Sequence, residues 1–544
     1  MPGHPTTFEL WSAPISKLAL PKDQFCPSLN GTRIPHLEFC DDMALIALSH
    51  REALQLRFDS FDEFVNGGHL LVSTAKSVIV HIKWKHVAAP YKPRKGAAAK
   101  PIEFDDTPVL TITSNGVPLA EVASAKYLGL CFEGVNTTQY RIHLASTEKK
   151  ARGMAQCALA LQHQNGLMPV FQAILFYTER IKSIMLFASA VTFAVPAPDF
   201  EMLENTFMRR IVGVPDTASV HGIYLELGMF PIQMHRLENA LKFYSYAASS
   251  TAPRLLRDAL LDNMSIQVRG TSQSPTWFAS LVHQYEAYGI VAPPHLSGTL
   301  AIDLETPQGR QLRTSMLRDL RASATQRLHA GVVGSVRFVH LAHPLVIHRL
   351  QPYLVHNSFQ NRNAMTRVRL SNHALALQTG CQHRPKPVPR PRRTCRLCTS
   401  LEIEYTPHAI ARCTGTQNLV LLRRTLLLEL AALPGSSAEL QDVQLLLRVN
   451  GPSNLWDRLL NATEKSIVIL VAPFLRKCLR EFYTKSPRYL SFDPSTKTAA
   501  EISVLSLFER FLFQNPGAAT NVQPCDGFVD NDDDDSGSNS DRAE

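Results

Sequence analysis

Phe39-Cys40-Asp41-Asp42 stands between two short apolar runs, Pro35-His36-Leu37 before it and Met43-Ala44-Leu45-Ile46-Ala47 after it. The pattern predicts two strands joined by a tight acidic turn, because Asp tolerates turn geometry and bonds its own backbone. Acidic pairs are common in hairpin turns, so these four residues alone fit a surface turn as well as a metal site. The surrounding sequence decides between the two.

Upstream lies Gly3-His4-Pro5. Downstream come Gly67-Gly68-His69-Leu70-Leu71-Val72-Ser73-Thr74-Ala75-Lys76, then a β-rich stretch, then Lys126-Tyr127-Leu128-Gly129-Leu130. In order and rough spacing this series resembles the later palm motifs of a reverse transcriptase: a Gly-x-Pro helix, an aromatic-x-Asp-Asp turn, a lysine loop and a Tyr-Leu-Gly primer grip. It is most similar to LINE-type, non-LTR retrotransposons of fungi.

The resemblance implies an RNA-directed DNA polymerase by descent, a nucleotidyltransferase encoded by a transposable element and acting on an RNA template with a DNA primer or target. Two Mg²⁺ ions would carry the transfer. Asp41 would bridge them, Asp42 would be the weaker or outer partner, and Lys76 would meet the pyrophosphate. Tyr127, Leu128 and Gly129 would place the primer end, with the glycine allowing close backbone approach. A third carboxylate, which such enzymes carry well before the Gly-x-Pro helix, has no match here, and neither do the fingers. Phe-Cys replaces the more usual Tyr-Ala, Ser73 an Asn, and His4 an Asp. The expectation is a 5′-truncated copy, inactive alone; the alternative is a non-catalytic, zinc-containing nucleic-acid-binding protein.

Cys395-x2-Cys398-x9-His408-x4-Cys413 needs no family to be read. Two thiolates two residues apart form half of a tetrahedral site, and a His shortly before a Cys on a short helix forms the other half. Ligands this soft favour Zn²⁺ over Mg²⁺ or Ca²⁺, and four of them leave no open position, so the site is expected to be structural. Cys381 and His383 are rivals for a place in it. The spacing is similar to the Cys-Cys-His-Cys element of LINE-type proteins, in which Glu404, four before His408, also has a counterpart. Just upstream, Arg384, Lys386, Arg390, Arg392 and Arg393 alternate with prolines. An extended cationic run can track a phosphate backbone, although a nuclear-import signal or a solvated linker has the same composition.

The chain has 544 residues, 45% hydrophobic and with mean hydropathy near zero, the composition of a globular protein of several domains. Its net charge of +9 hides an acidic tail: residues 525–544 sum to −7, so residues 1–524 carry +16. A basic body suits a polyanionic partner. No stretch reaches the roughly 18 apolar residues of a membrane span, and the longest apolar run, Ile184 to Val195, reads as a buried helix. With no secretory n-region and ten scattered cysteines, the expected address is intracellular, and nuclear.

The predicted fold class is α+β, mostly α-helical. Residues 1–135 read as a partial palm β-sheet with helical cover, including a helix over Leu54–Val65, a strand over Ser77–Trp84, a hairpin at Asn115-Gly116 and a further strand from Tyr127 to Phe132. Residues 136–250 read as a helical thumb, 251–365 as a connecting helical region without assignable chemistry, and 366–415 as the basic segment and zinc element. A C-terminal helical region over 416–514 and a disordered acidic tail over 515–544 complete the reading.

Overall fold

The structure, a computed structural model, describes residues 27–29, 31–34, 36–39, 42–47, 51–67, 69, 71–82, 111–134, 140–165, 168–269, 276–291, 306–333, 348–375, 379, 388–449 and 452–485. These residues are mostly helical with a few short strands, as the composition and periodicity predict. The chain divides into two units. One takes Met1–Met168, Gln172–Asn205 and Phe230–Ala324, and the other takes Pro169–Phe171, Thr206–Met229 and Thr325–Glu544. This departs from the linear boundaries at 135 and 250, because helices distant in sequence share cores.

In the first unit Asp42 opens the second strand of the expected hairpin. Strands His36–Phe39 and Asp42–Leu45 are antiparallel with Phe39 opposite Asp42. Helix Arg51–Gly67 covers them: Leu45, Leu54, Val72 and Ile79 pack around buried Phe58, Ile112 and Leu119. Strand Val78–Val80 runs parallel to Ala120–Val122. The hairpin expected at Asn115-Gly116 is present between Thr113–Ser114 and Val117–Pro118, with both turn residues at positive φ. The described strands form five separate two-stranded pairs, not one palm sheet.

Two sequence expectations are corrected here. The stretch from Tyr127 to Phe132 is not one strand but a hairpin, Ser124–Tyr127 against Leu130–Glu133, with Leu128 and Gly129 in the turn at φ 50° and 86°. Ile184 to Val195 is not one helix either. The backbone breaks at Ala188, φ 56°, between Ser183–Met185 and Ser189–Thr192. No helix among the described residues is long and apolar enough to cross a membrane.

The helical core of this unit explains the segment that carries no motif. Met234, Leu237, Leu241 and Tyr244 recur at helical spacing on Ile232–Ala247. They meet Leu260, Phe278, Leu281, Met316 and Leu320 from Arg254–Arg269, Trp277–Ala287 and Pro307–Val333.

In the second unit, helix Lys465–Tyr483 is the hub and packs on Phe359–Arg369, Gln417–Ala432 and Pro352–His356. Its buried face runs Ile467, Val468, Val471, Ala472, Leu475, Cys478, Leu479 and Phe482, the stripe of a helix turned to a core. Glu226-Leu227-Gly228 ends helix Val220–Leu227. Gly228 stands at φ 65°, and a Cβ there would lie 2.5 Å from the backbone of Arg349, so only glycine fits. Buried Glu226 accepts from Arg369 Nε and Tyr353 Oη, both at 2.8 Å. Arg369 also donates to Asn461 Oδ1 at 2.9 Å.

Candidate metal centre

The four predicted ligands meet in one place. Their ligand atoms all lie within 4.8 Å of one another, and Cys395, His408 and Cys413 are buried. Cys395 Sγ is 3.6 Å from Cys413 Sγ, and Cys398 Sγ is 3.4 Å from His408 Nε2. Tetrahedral Zn²⁺, with Zn–S near 2.3 Å and Zn–N near 2.0–2.1 Å, sets ligand separations of about 3.6–3.8 Å. The cluster matches that scale and can hold a metal ion such as zinc.

Local structure brings them there. The first two cysteines leave a two-rung ladder in which Thr394 bridges Ile403, Cys395 N donates to Glu402 O at 2.8 Å and Glu404 N donates to Arg393 O at 2.8 Å. The other pair is set by a π turn, His408–Arg412, rather than by an α-helical turn. Cys413 N donates to His408 O at 2.8 Å, an i to i+5 bond that swings Cys413 back beside His408.

The outer contacts fit a metal-bound imidazole. His408 Nδ1 lies 2.8 Å from Glu402 Oε2, leaving Nε2 toward the sulfurs. A carboxylate on the far nitrogen fixes the tautomer and raises the ligand's basicity. Leu397 N donates to Cys395 Sγ at 3.4 Å, and Ser400 Oγ is 3.0 Å from Cys398 Sγ.

The titration of these groups is coupled. The Cys395 thiol is pushed up to about 12 by its bond to Cys413 and by burial, while the bond to Cys395 holds Cys413 below the usual thiol value. Burial pulls His408 down, but Cys395 and Glu402 outweigh it and raise the imidazole to about 9. Protons are thus shared where a divalent cation would replace them.

Glu404 is not a ligand. Its carboxylate takes Arg396 Nε at 2.9 and 3.0 Å, one terminal guanidinium nitrogen at 2.6 Å and the Arg396 backbone N at 2.7 Å. Arg396 reaches on to Ala374 O at 2.6 Å, Phe482 O at 3.2 Å and Lys485 O at 2.8 Å. The metal loop is therefore built into the helical unit, not appended to it as a small separate element. Sequence reading missed Arg396 and Glu402; the only signal was a charged residue inside a Cys-x2-Cys turn and a second acid two residues before Glu404.

The basic run is corrected at its C-terminal end. Arg390–Arg392 is a 3-10 turn, Arg392 and Arg393 are buried, and Arg393 Nε donates to Val388 O at 2.7 Å. Guanidiniums turned into the protein cannot follow a phosphate chain. Arg390 is half-buried. Arg384, Lys386, Cys381 and His383 lie outside the described residues, as does Asp41. Asp42 opens its strand opposite Phe39. Lys76 is exposed in the turn after Ser73, whose carbonyl accepts from Lys76 N at 3.0 Å. Tyr127 ends its strand half-buried, with Leu128 and Gly129 in the following turn.

No protein-family model matches the chain, and a search of curated proteins finds no similar sequence.

Proposed function

We propose that this chain is a LINE-type reverse transcriptase by descent, holding the later palm, the thumb and the zinc element, and that it binds nucleic acid without extending a primer by itself. The observation that carries the reading is a shared core. Leu45 from the acidic hairpin, Val72 from the lysine loop and Ile79 from the following strand pack around Phe58, Ile112 and Leu119. A palm needs its carboxylate turn and its lysine loop fixed to one scaffold, since two-metal transfer depends on carboxylates held in place. Cys395, Cys398, His408 and Cys413 bind one Zn²⁺ in a structural role, because four protein ligands leave it no open position.

Fluorescence anisotropy with an RNA–DNA primer–template, followed by primer extension with Mg²⁺ on the same duplex, tests this. Binding that weakens steeply with salt and no extension that depends on Asp41 is the expected outcome. Absence of binding to RNA and to DNA would sink the proposal. Extension abolished by Asp41→Ala would show a self-sufficient polymerase. The alternative, a zinc-containing nucleic-acid-binding protein whose acidic turn has no role, is favoured by the closed Cys₃His set. It predicts binding that survives loss of both Asp41 and the Tyr127-Leu128-Gly129 turn.

A further inference from the structure

Two strained turns meet in the first unit. Leu128 has φ 50° and Ala188 φ 56°, both in the left-handed region that residues with a side chain rarely occupy. Between them the ring of Phe187 lies on Gly129, where a Cβ would come within 2.7 Å of Phe187 Cζ. Strain of this kind persists where surrounding structure holds a side chain in a required place. Here it holds two apolar groups outward: Leu128 is 47% exposed and Phe187 49%. Ile142, 44% exposed, begins the adjoining helix Arg141–Asn165, which packs on strand Leu130–Glu133.

The ring is supported from below. His143 is 3% exposed, its ring centroid is 5.9 Å from that of Phe187, and its Nε2 has no hydrogen-bond partner among the described residues. Burial lowers its pKa, so at neutral pH it packs as an uncharged ring.

The hairpin and the helix that meet the ring carry exposed cations, and Lys150 lies close enough to His143 to act on it electrostatically. Lys126 on the hairpin and Arg141, Lys149 and Lys150 on the helix are exposed, and none of the four is in an ion pair among the described residues. Two acids on these elements are occupied: Glu133 is buried and accepts from Ile142 N, and Glu148 pairs with Arg152 at 2.5 Å. An aromatic face with exposed cations beside it is how proteins take single-stranded nucleic acid, base on ring and phosphate on Lys or Arg. A stable protein interface needs about 800 Å² per partner with an apolar centre, far more than three half-exposed side chains offer.

We propose that Phe187, with Leu128 beside it, is a stacking platform for an unstacked base of a nucleic-acid strand whose phosphates run along the basic start of helix Arg141–Asn165. The platform rests on the nucleic-acid-binding reading given above and assigns to it a residue outside the Tyr127-Leu128-Gly129 motif.

The test is anisotropy of the full chain with fluorescein-labelled single-stranded RNA and DNA oligonucleotides, comparing Phe187→Ala, Phe187→Leu and Phe187→Trp. Loss of one base stack predicts roughly tenfold weaker binding for Phe187→Ala and Phe187→Leu, and binding within about twofold of the parent for Phe187→Trp. Val291→Ala, at a residue 89% exposed and beyond the end of helix Trp277–Ala287, keeps the parent affinity. Circular dichroism melts show that the variants fold, and Phe187→Leu keeps the apolar packing if Phe187→Ala does not. Unchanged affinity in the folded Ala and Leu variants overturns the platform while leaving nucleic-acid binding intact. A parent chain that binds neither oligonucleotide overturns both. Concentration-dependent self-association lost in Phe187→Ala, with oligonucleotide affinity unchanged, assigns the patch to a second copy and likewise overturns the platform.

Discussion

Arg396, the residue after the first cysteine of the cluster, lays its guanidinium across both carboxylate oxygens of Glu404 at 2.6–3.0 Å, with the two side chains 3% and 0% exposed. Removing one member of a buried pair leaves the other charge without compensation, at a cost of about 3–5 kcal/mol. Glu404→Gln or Arg396→Met should lower stability by that order in urea denaturation. A loss below about 1 kcal/mol would mean that solvent reaches the pair in solution.

The neighbouring carboxylate has a different task. Glu402 touches the ligand and not the metal position, so Glu402→Gln should weaken metal affinity by roughly 10–100-fold while the metal-loaded protein stays folded. Competition with a chelating dye measures this, and an unaltered affinity would count against the assigned His408 tautomer.

Metal content gives the most direct result. The purified chain is expected to hold one zinc per molecule by atomic emission, and Cys395→Ser or Cys398→Ser to hold far less. Chelation should also lower the melting temperature, since a ligand that binds only the folded state stabilises it. Full zinc in both variants would exclude the site.

Acid should act on the first unit through Glu238. Its bond to His235, with the charges of Lys242 and Arg321, holds this carboxyl down at about 2. A depressed folded pKa contributes stability that is present above the ordinary value of 4.5 and is lost as pH falls from there toward 2. Glu238→Gln should therefore flatten the pH dependence of stability across that window. Identical profiles for parent and variant would contradict the assignment.

Gly228→Ala should cost more than about 1 kcal/mol, because it combines a positive φ with a backbone clash. Thermal melting compared with Gly153→Ala, at a helical glycine with open space beside it, separates that position from a general effect of the substitution.

What could be read from the sequence followed local chemistry. The hairpin at Asn115-Gly116 was legible because its turn demands two positive φ values that this pair supplies. The four cluster ligands were legible from spacing alone. What failed to show was set by tertiary contact. Tyr127 to Phe132 carried no turn signal of the Asn-Gly kind, since Leu128 takes its left-handed conformation against its own preference. Arg392 and Arg393 looked like solvated cations because nothing local indicates that a guanidinium turns inward. The unit boundaries were hidden because the partners of Glu226 lie 127 and 143 residues further along.

That last distance bears on how the protein is made. Glu226 leaves the ribosome long before Arg369, and Asn461, which completes the same network, follows later still. The nascent second unit must therefore wait with a carboxylate intended for burial and no cation to meet it. Its folding is a late event in synthesis, and ribosome-stalled chains ending before residue 369 should remain protease-sensitive over 206–229.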